Sequence, residues 1–172
     1  MPKHFIVAIT LCCLALVGRG QSANWKTLQC SKVSLTYPPT WHLTEERRGA
    51  QRRYTLTPDS MQHLTMRMFE LLELPLGGDH DYAYFKKNFK LLLHPNDEVT
   101  TKILKTGEIT FKGHNCMYAE MTNLSLPQKV YGIDAGNVVY LIIVTERRYI
   151  RVADPGLERD GKAILNSIAI SE

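Results

Sequence analysis

The spacing of hydrophobic and polar positions changes several times along this chain, and each change predicts an element. From Lys32 to Tyr37 the two kinds alternate, with Val33, Leu35 and Tyr37 on one side, until Pro38-Pro39 stops the run. Alternation with a period of two marks a strand that buries one face. Residues 41–44 read as a short continuation, 45–51 as a charged turn around Gly49, and 52–57 as the returning strand, closed by Pro58. Residues 63–69, apolar at 64, 66 and 68, predict a further strand. The period then lengthens. Tyr82, Phe85, Phe89, Leu92 and Leu93 fall on one helical stripe, with Lys86, Lys87 and Lys90 off it. Gly77-Gly78 breaks the chain before this helix, Asp79 or Asp81 can cap its first turn, and His94-Pro95 ends it.

Short strands return at 101–105, 108–112, 116–122 and 129–133, punctuated by Gly107 and Gly113. Connections this brief join antiparallel neighbours, because a parallel return needs about a dozen residues. The run from Asn137 to Glu146 differs from all of these. It is unbroken, dense in β-branched residues and has no polar face, which predicts a mid-sheet strand buried on both sides. Asp154 as N-cap and Pro155 at the first helical position then open a closing helix, with Leu157, Ile164, Leu165 and Ile168 as its stripe. The expected fold class is α/β in the α+β sense. An antiparallel central sheet would be covered by helices on both faces, as an α/β/α sandwich.

The N-terminus does not fit this domain. Lys3 and His4 give a basic start, residues 5–17 are continuously apolar, and Gly18, Gly20 and Ser22 offer small residues for cleavage. This is the layout of a secretory signal peptide, and its apolar run is shorter than the roughly 20 residues a bilayer span takes. Residues 1–22 are therefore expected to be removed, leaving 23–172 as one domain with no membrane span. Loss of Lys3 and Arg19 lowers the formal net charge from +4 to +2, an ordinary balance that does not call for a polyanion. Two cysteines, Cys30 and Cys116, remain in a chain expected to reach an oxidising compartment. Either they pair, or they pack as buried thiols.

The order of elements resembles the PsbP-like and Mog1-like superfamily of small α/β/α domains. Val33 to Trp41 looks like that group's strand running into a Tyr-Pro-x-x-Trp corner. Residues 82–92 look like its Lys-rich helix, and 109–118 like its strand, glycine turn and strand. Residues 140–149 and 164–168 look like its central strand and final helix. The resemblance covers nearly the whole mature chain. It implies an accessory or binding protein, since members attach variously to photosystem II, a nuclear GTPase or bacterial envelopes. It transfers no site residue.

Several groups are candidates for chemistry. Asp79, His80 and Asp81 bring two carboxylates and an imidazole into three residues, a possible divalent-metal loop, although capping explains an aspartate before a helix equally well. His42, His63, His94 and His114 lack ligand spacing. Arg47, Arg48, Arg52 and Arg53 flank the Gly49 turn and would form a patch for an acidic partner or anionic lipid; the alternative is a solvated hairpin offset by Glu45 and Glu46. Arg147-Arg148 is a second basic pair, beside Glu146. Asn123-Leu-Ser125 matches the glycosylation acceptor. The sequence contains no G-x-S-x-G elbow, no H-E-x-x-H and no complete phosphate-cradling G-x-x-x-x-G-K-[ST]. The expected function is an exported, non-catalytic protein that binds a protein or other envelope component and uses no cofactor. A small-ligand or divalent-metal carrier is the alternative, and a hydrolase or thiol redox enzyme a further one. The export layout, and the lack of exposed-looking aromatics beside the basic residues, argue against nucleic acid.

Overall fold

The computed structural model describes residues 24–60, 68–77, 81–93, 101–124, 126–145 and 155–171. Ten strands and two helices make up these residues. They are β1 (Lys26–Gln29), β2 (Val33–Tyr37), β3 (Trp41–Arg48), β4 (Gln51–Pro58), β5 (Phe69–Pro75), α1 (Tyr82–Leu93), β6 (Thr101–Phe111), β7 (His114–Asn123), β8 (Leu126–Asp134), β9 (Val138–Thr145), α2 (Pro155–Ser167) and β10 (Ala169–Ile170). Seven strands form one sheet in the order β3-β4-β5-β9-β8-β7-β6, and three form a second in the order β1-β2-β10. Every pairing in both sheets is antiparallel.

The apolar run at 137–146 is β9, the middle strand of the seven, and it is buried on both sides as its composition predicts. Val139 and Leu141 join α1 residues Phe85, Phe89 and Leu93 in one core. Val138, Tyr140 and Ile142 point the other way, into a core with Val33, Leu35, Trp41 and Ile164. Each large apolar side chain fully withdrawn from water contributes on the order of 1.5–3 kcal/mol. β9 places such side chains in both layers.

The two covers differ from the expected pair of helices. On one face α1 lies over β7, β8 and β9. It is held there by its aromatic stripe and, outside the core, by Lys86 Nζ 2.8 Å from a Glu108 oxygen on β6. The other face is roofed by the three-stranded sheet together with α2, so a sandwich with helices alone on each side is not formed. The reason lies in β2, whose alternation buries Val33, Leu35 and Tyr37 and so gives that strand an apolar face of its own. α2 is tied to the same strand, since Ser167 Oγ accepts the Thr36 amide at 2.9 Å.

Two local expectations are also revised, and a third lies mostly outside the described residues. Residues 45–51 are not a loop, because β3 and β4 run on as paired strands to Arg48 and Gln51 and turn through Gly49, which has φ +62°. The segments at 101–105 and 108–112 are one strand that passes through Gly107, with a register shift beside Leu104. The strand expected at 63–69 falls mostly outside the described residues, while β5 begins at Phe69 and runs to Pro75.

Gly132 on β8 fixes how closely α1 approaches. A Cβ there would lie 2.6 Å from Phe85 Cζ and 3.3 Å from Phe89 Cε2, and the Tyr82 hydroxyl donates to Gly132 O at 3.4 Å. Gly132→Ala should therefore overpack this layer and cost about 1–3 kcal/mol in urea denaturation. Adding Phe85→Leu should recover part of that loss. An alanine variant as stable as the parent would show that α1 can lift off at no cost.

Candidate functional site

One register row crosses the large sheet on the face away from α1. Arg47 pairs with Arg52, Arg52 with Glu73, Glu73 with Tyr140, Tyr140 with Ile133, and Ile133 with Cys116. Directly paired residues point to the same side of a pleated sheet. The row therefore runs from two arginines at the margin, through a carboxylate and a phenol, into apolar core.

The turn between β1 and β2 roofs its middle. The Cys30 amide donates to Val33 O at 2.7 Å, which projects Ser31 towards the sheet. Ser31 Oγ donates to Glu73 Oε1 in a short contact and lies 2.7 Å from the Tyr140 hydroxyl, which also accepts the Lys32 amide at 2.9 Å. Glu73 is only 7% exposed, and its second oxygen, Oε2, is buried without a hydrogen-bonding partner. An unmatched buried carboxylate oxygen is costly; the cation directly opposite in register is Arg52, which bonds to the Tyr54 hydroxyl. Burial pushes the Tyr54 and Tyr140 hydroxyls above their ordinary value of 10.0.

Glu73 is the acceptor to which Ser31 would pass a proton, the first requirement of an activated serine. The amide of the next residue, Lys32, is already given to Tyr140 and does not stand open for an oxyanion. The bonds clamp the roof turn onto the sheet.

The four arginines are not one patch. Strand alternation puts Arg47 and Arg52 on the roofed side, and Arg48 and Arg53 on the other. Arg53 sits opposite Glu46 in register and its Nε lies 3.7 Å from Glu70 Oε2. Arg47 and Arg48 are exposed, and Arg52 is half-buried. The roofed-side pair faces Glu45 and Glu73, the other side Glu46 and Glu70, so each half is partly offset.

The two thiols do not bridge. Both are free and buried. Burial, with the Glu73 charge nearby, pushes the Cys30 thiol from 9.0 up to about 12, and burial alone does the same to Cys116. Cys30 lies against Glu73 and Tyr54, whereas Cys116 is three strands from Glu73 along the same row. Three strand spacings are roughly 14 Å, beyond the span of a disulfide.

Asp79 and His80 lie outside the described residues, as do Arg147 and Arg148. Asp81 caps α1, with Oδ1 accepting the Tyr84 amide at 2.8 Å and its carbonyl accepting the Phe85 amide at 3.0 Å. Among the described residues no three metal-ligating side chains converge. Asn123 ends β7, half-buried, before Leu124, which is 71% exposed with φ +49°. Ser31, Tyr54, Glu73 and Tyr140 were not singled out by sequence. The available signals were the lone phenol in the apolar 137–146 run and the two glutamates within the otherwise apolar 68–76 segment.

This two-sheet, two-helix arrangement is PsbP-like. No protein-family model and no curated protein matches the chain. The solution structure of cyanobacterial PsbP (CyanoP) from Synechocystis sp. PCC 6803 matches with a TM-score of 0.58 at 9% identity, over 86% of this chain and 93% of that one. A crystal structure from Bacteroides thetaiotaomicron VPI-5482 has a TM-score of 0.34 at 9% identity, over 81% of this chain and 45% of that one. The first of these supports the fold, and the second is too dissimilar to add to it.

The buried thiols give a pH dependence with a definite sign. The native state holds both protonated to about 12, while the unfolded chain ionises them near 9.0. Above that lower value the unfolded state binds fewer protons, so stability falls as pH rises. The buried tyrosines act the same way from about pH 10. Denaturation midpoints should hold steady up to about pH 8 and then decline. In the chain from residue 23, an aromatic disulfide reagent should titrate neither Cys30 nor Cys116 at neutral pH until denaturant is added; rapid labelling of that native protein would contradict the burial described.

Proposed function

We propose that residues 23–172 are an exported, non-catalytic binding domain whose partner meets the β3–β4 hairpin. The observation that carries this reading is the placement of Arg47 and Arg52. They form a cross-strand pair at the margin of the sheet, where the register row leaves the core. Cations held on paired strands keep their spacing and present a fixed pattern to an acidic surface, which favours specificity and encounter rate. The PsbP-like fold supports an accessory role by analogy, and the basic, apolar and small-residue order of residues 1–22 supports export. The thiols, held protonated by burial, are poor nucleophiles, which weighs against redox chemistry. The partner on this reading is a protein or other envelope component with an acidic face, not nucleic acid. The domain needs no cofactor and no membrane span after cleavage.

Two measurements test this. Expressed with its first 22 residues, the chain should be released by osmotic shock or secreted, with a new N-terminus after Gly20 or Ser22; an intact N-terminus in the cytosol would remove the export claim. In crosslinking within the native envelope, Arg47→Glu with Arg52→Glu should abolish the adducts formed by the parent. Reversal of Arg48 and Arg53 should matter less. Adducts unchanged by the first pair would move the contact elsewhere.

A further inference from the structure

A second polar region lies at the same end of the sheet, on the side of β7 and β8. Three turns meet there: the roof turn at 30–33, the β6–β7 turn through Gly113 (φ +87°), and the β8–β9 turn through Gly136 (φ +82°). Together with Ser171 they border an open cleft of about 310 Å³, lined by Lys32, His114, Asn115, Asp134, Gly136 and Ser171. That size is near the lower bound for small-molecule sites.

The chemistry of the lining is specific. Lys32 extends across the β8–β9 turn, with Nζ 3.8 Å from where a Gly136 Cβ would stand. Its backbone is pinned on both sides, since its amide donates to Tyr140 at 2.9 Å and its carbonyl accepts the Ser171 amide at 2.8 Å. Among the described residues the side-chain nitrogen has no hydrogen-bonding partner, and it lines the cleft. Asp134 is oriented by the Gly136 amide, which donates to its Oδ1 at 3.0 Å, so Oδ2 is the oxygen left for a donor. The lining thus offers a cation, an imidazole, an amide and a carboxylate around one cleft. A metal ion would face the Lys32 charge. A polyanion such as phosphate would face Asp134.

The geometry points to a binding site for a small carboxylate that also carries a hydrogen-bond donor, as an α-hydroxy or α-amino acid does. Its carboxylate meets Lys32, with His114 and Asn115 beside it, and its hydroxyl or ammonium group meets Asp134. This inference is independent of the hairpin contact and stands or falls without it.

The test is amide chemical-shift mapping of the full mature chain with L-lactate, L-alanine, propionate and inorganic phosphate as probes. Saturable shifts at 32, 113–115 and 134–136 are expected with lactate or alanine, at an affinity on the order of 1 mM for so few atoms. Which of the two binds more tightly separates the hydroxy-acid from the amino-acid source. Propionate, lacking the donor, should bind at least about tenfold more weakly. Lys32→Gln should weaken the better ligand by at least about tenfold while the rest of the spectrum is preserved. Asp134→Asn, which keeps an acceptor for the Gly136 amide, should remove the preference over propionate. No saturable shift, equal binding of phosphate and propionate, or indifference to both substitutions would overturn the proposal.

Discussion

Burial of β9 from both sides is the constraint on which the rest of this molecule depends. Alternate residues of one strand serve two separate cores, Val139 and Leu141 beneath α1, and Val138, Tyr140 and Ile142 beneath the small sheet. A strand with only one apolar face would leave one of those covers without a seat. With both faces apolar, the strand must lie in the interior of the sheet, which here means β5 on one side and β8 on the other. The edges fall to β3 and β6. Both carry charge, as Glu45 to Arg48 on the first and Lys102 and Lys105 on the second, and β6 is further broken by its register shift. Charge and irregularity of this kind discourage pairing with a foreign strand.

The polar features follow from the same geometry. Tyr140 lies in the middle of the buried strand and is fully withdrawn from solvent, so its hydroxyl needs partners. It finds them in the roof turn through Ser31 and the Lys32 amide. Glu73, its neighbour on β5, shares Ser31. The result is a polar seam between an apolar interior and a basic margin, and it holds the β1–β2 turn against the sheet. The same pinned turn sends the Lys32 side chain in the other direction, towards the β8–β9 turn. One short segment therefore serves both the seam and the cleft beside it.

Much of this was legible in the sequence, and the failures have physical causes. The two-faced strand, the aromatic helix, the closing helix and the likeness in fold all rest on long, strongly periodic segments, where burial and pattern agree. Residues 45–48 did not read as strand because at this end of the hairpin backbone pairing persists where side chains no longer bury. β5 was obscured by Glu70 and Glu73, which are buried in spite of their charge. The sequence predicts helix alone for the roof because the alternation in β2 does not say against which layer its apolar side will pack. The arginine doublets showed that charge was concentrated near Gly49. Only the pairing register showed that neighbours in sequence stand on opposite faces.

The most direct test of the central claim is native-state hydrogen exchange, resolved residue by residue. If β9 joins the two cores, its amides, with the facing amides of β5 and β8, should exchange only through global unfolding and share the highest protection. Those of β3 and β6 should open at lower free energy. Amides at 138–145 exchanging as fast as the edge strands, or β5 and β8 retaining full protection while β9 opens, would contradict the account.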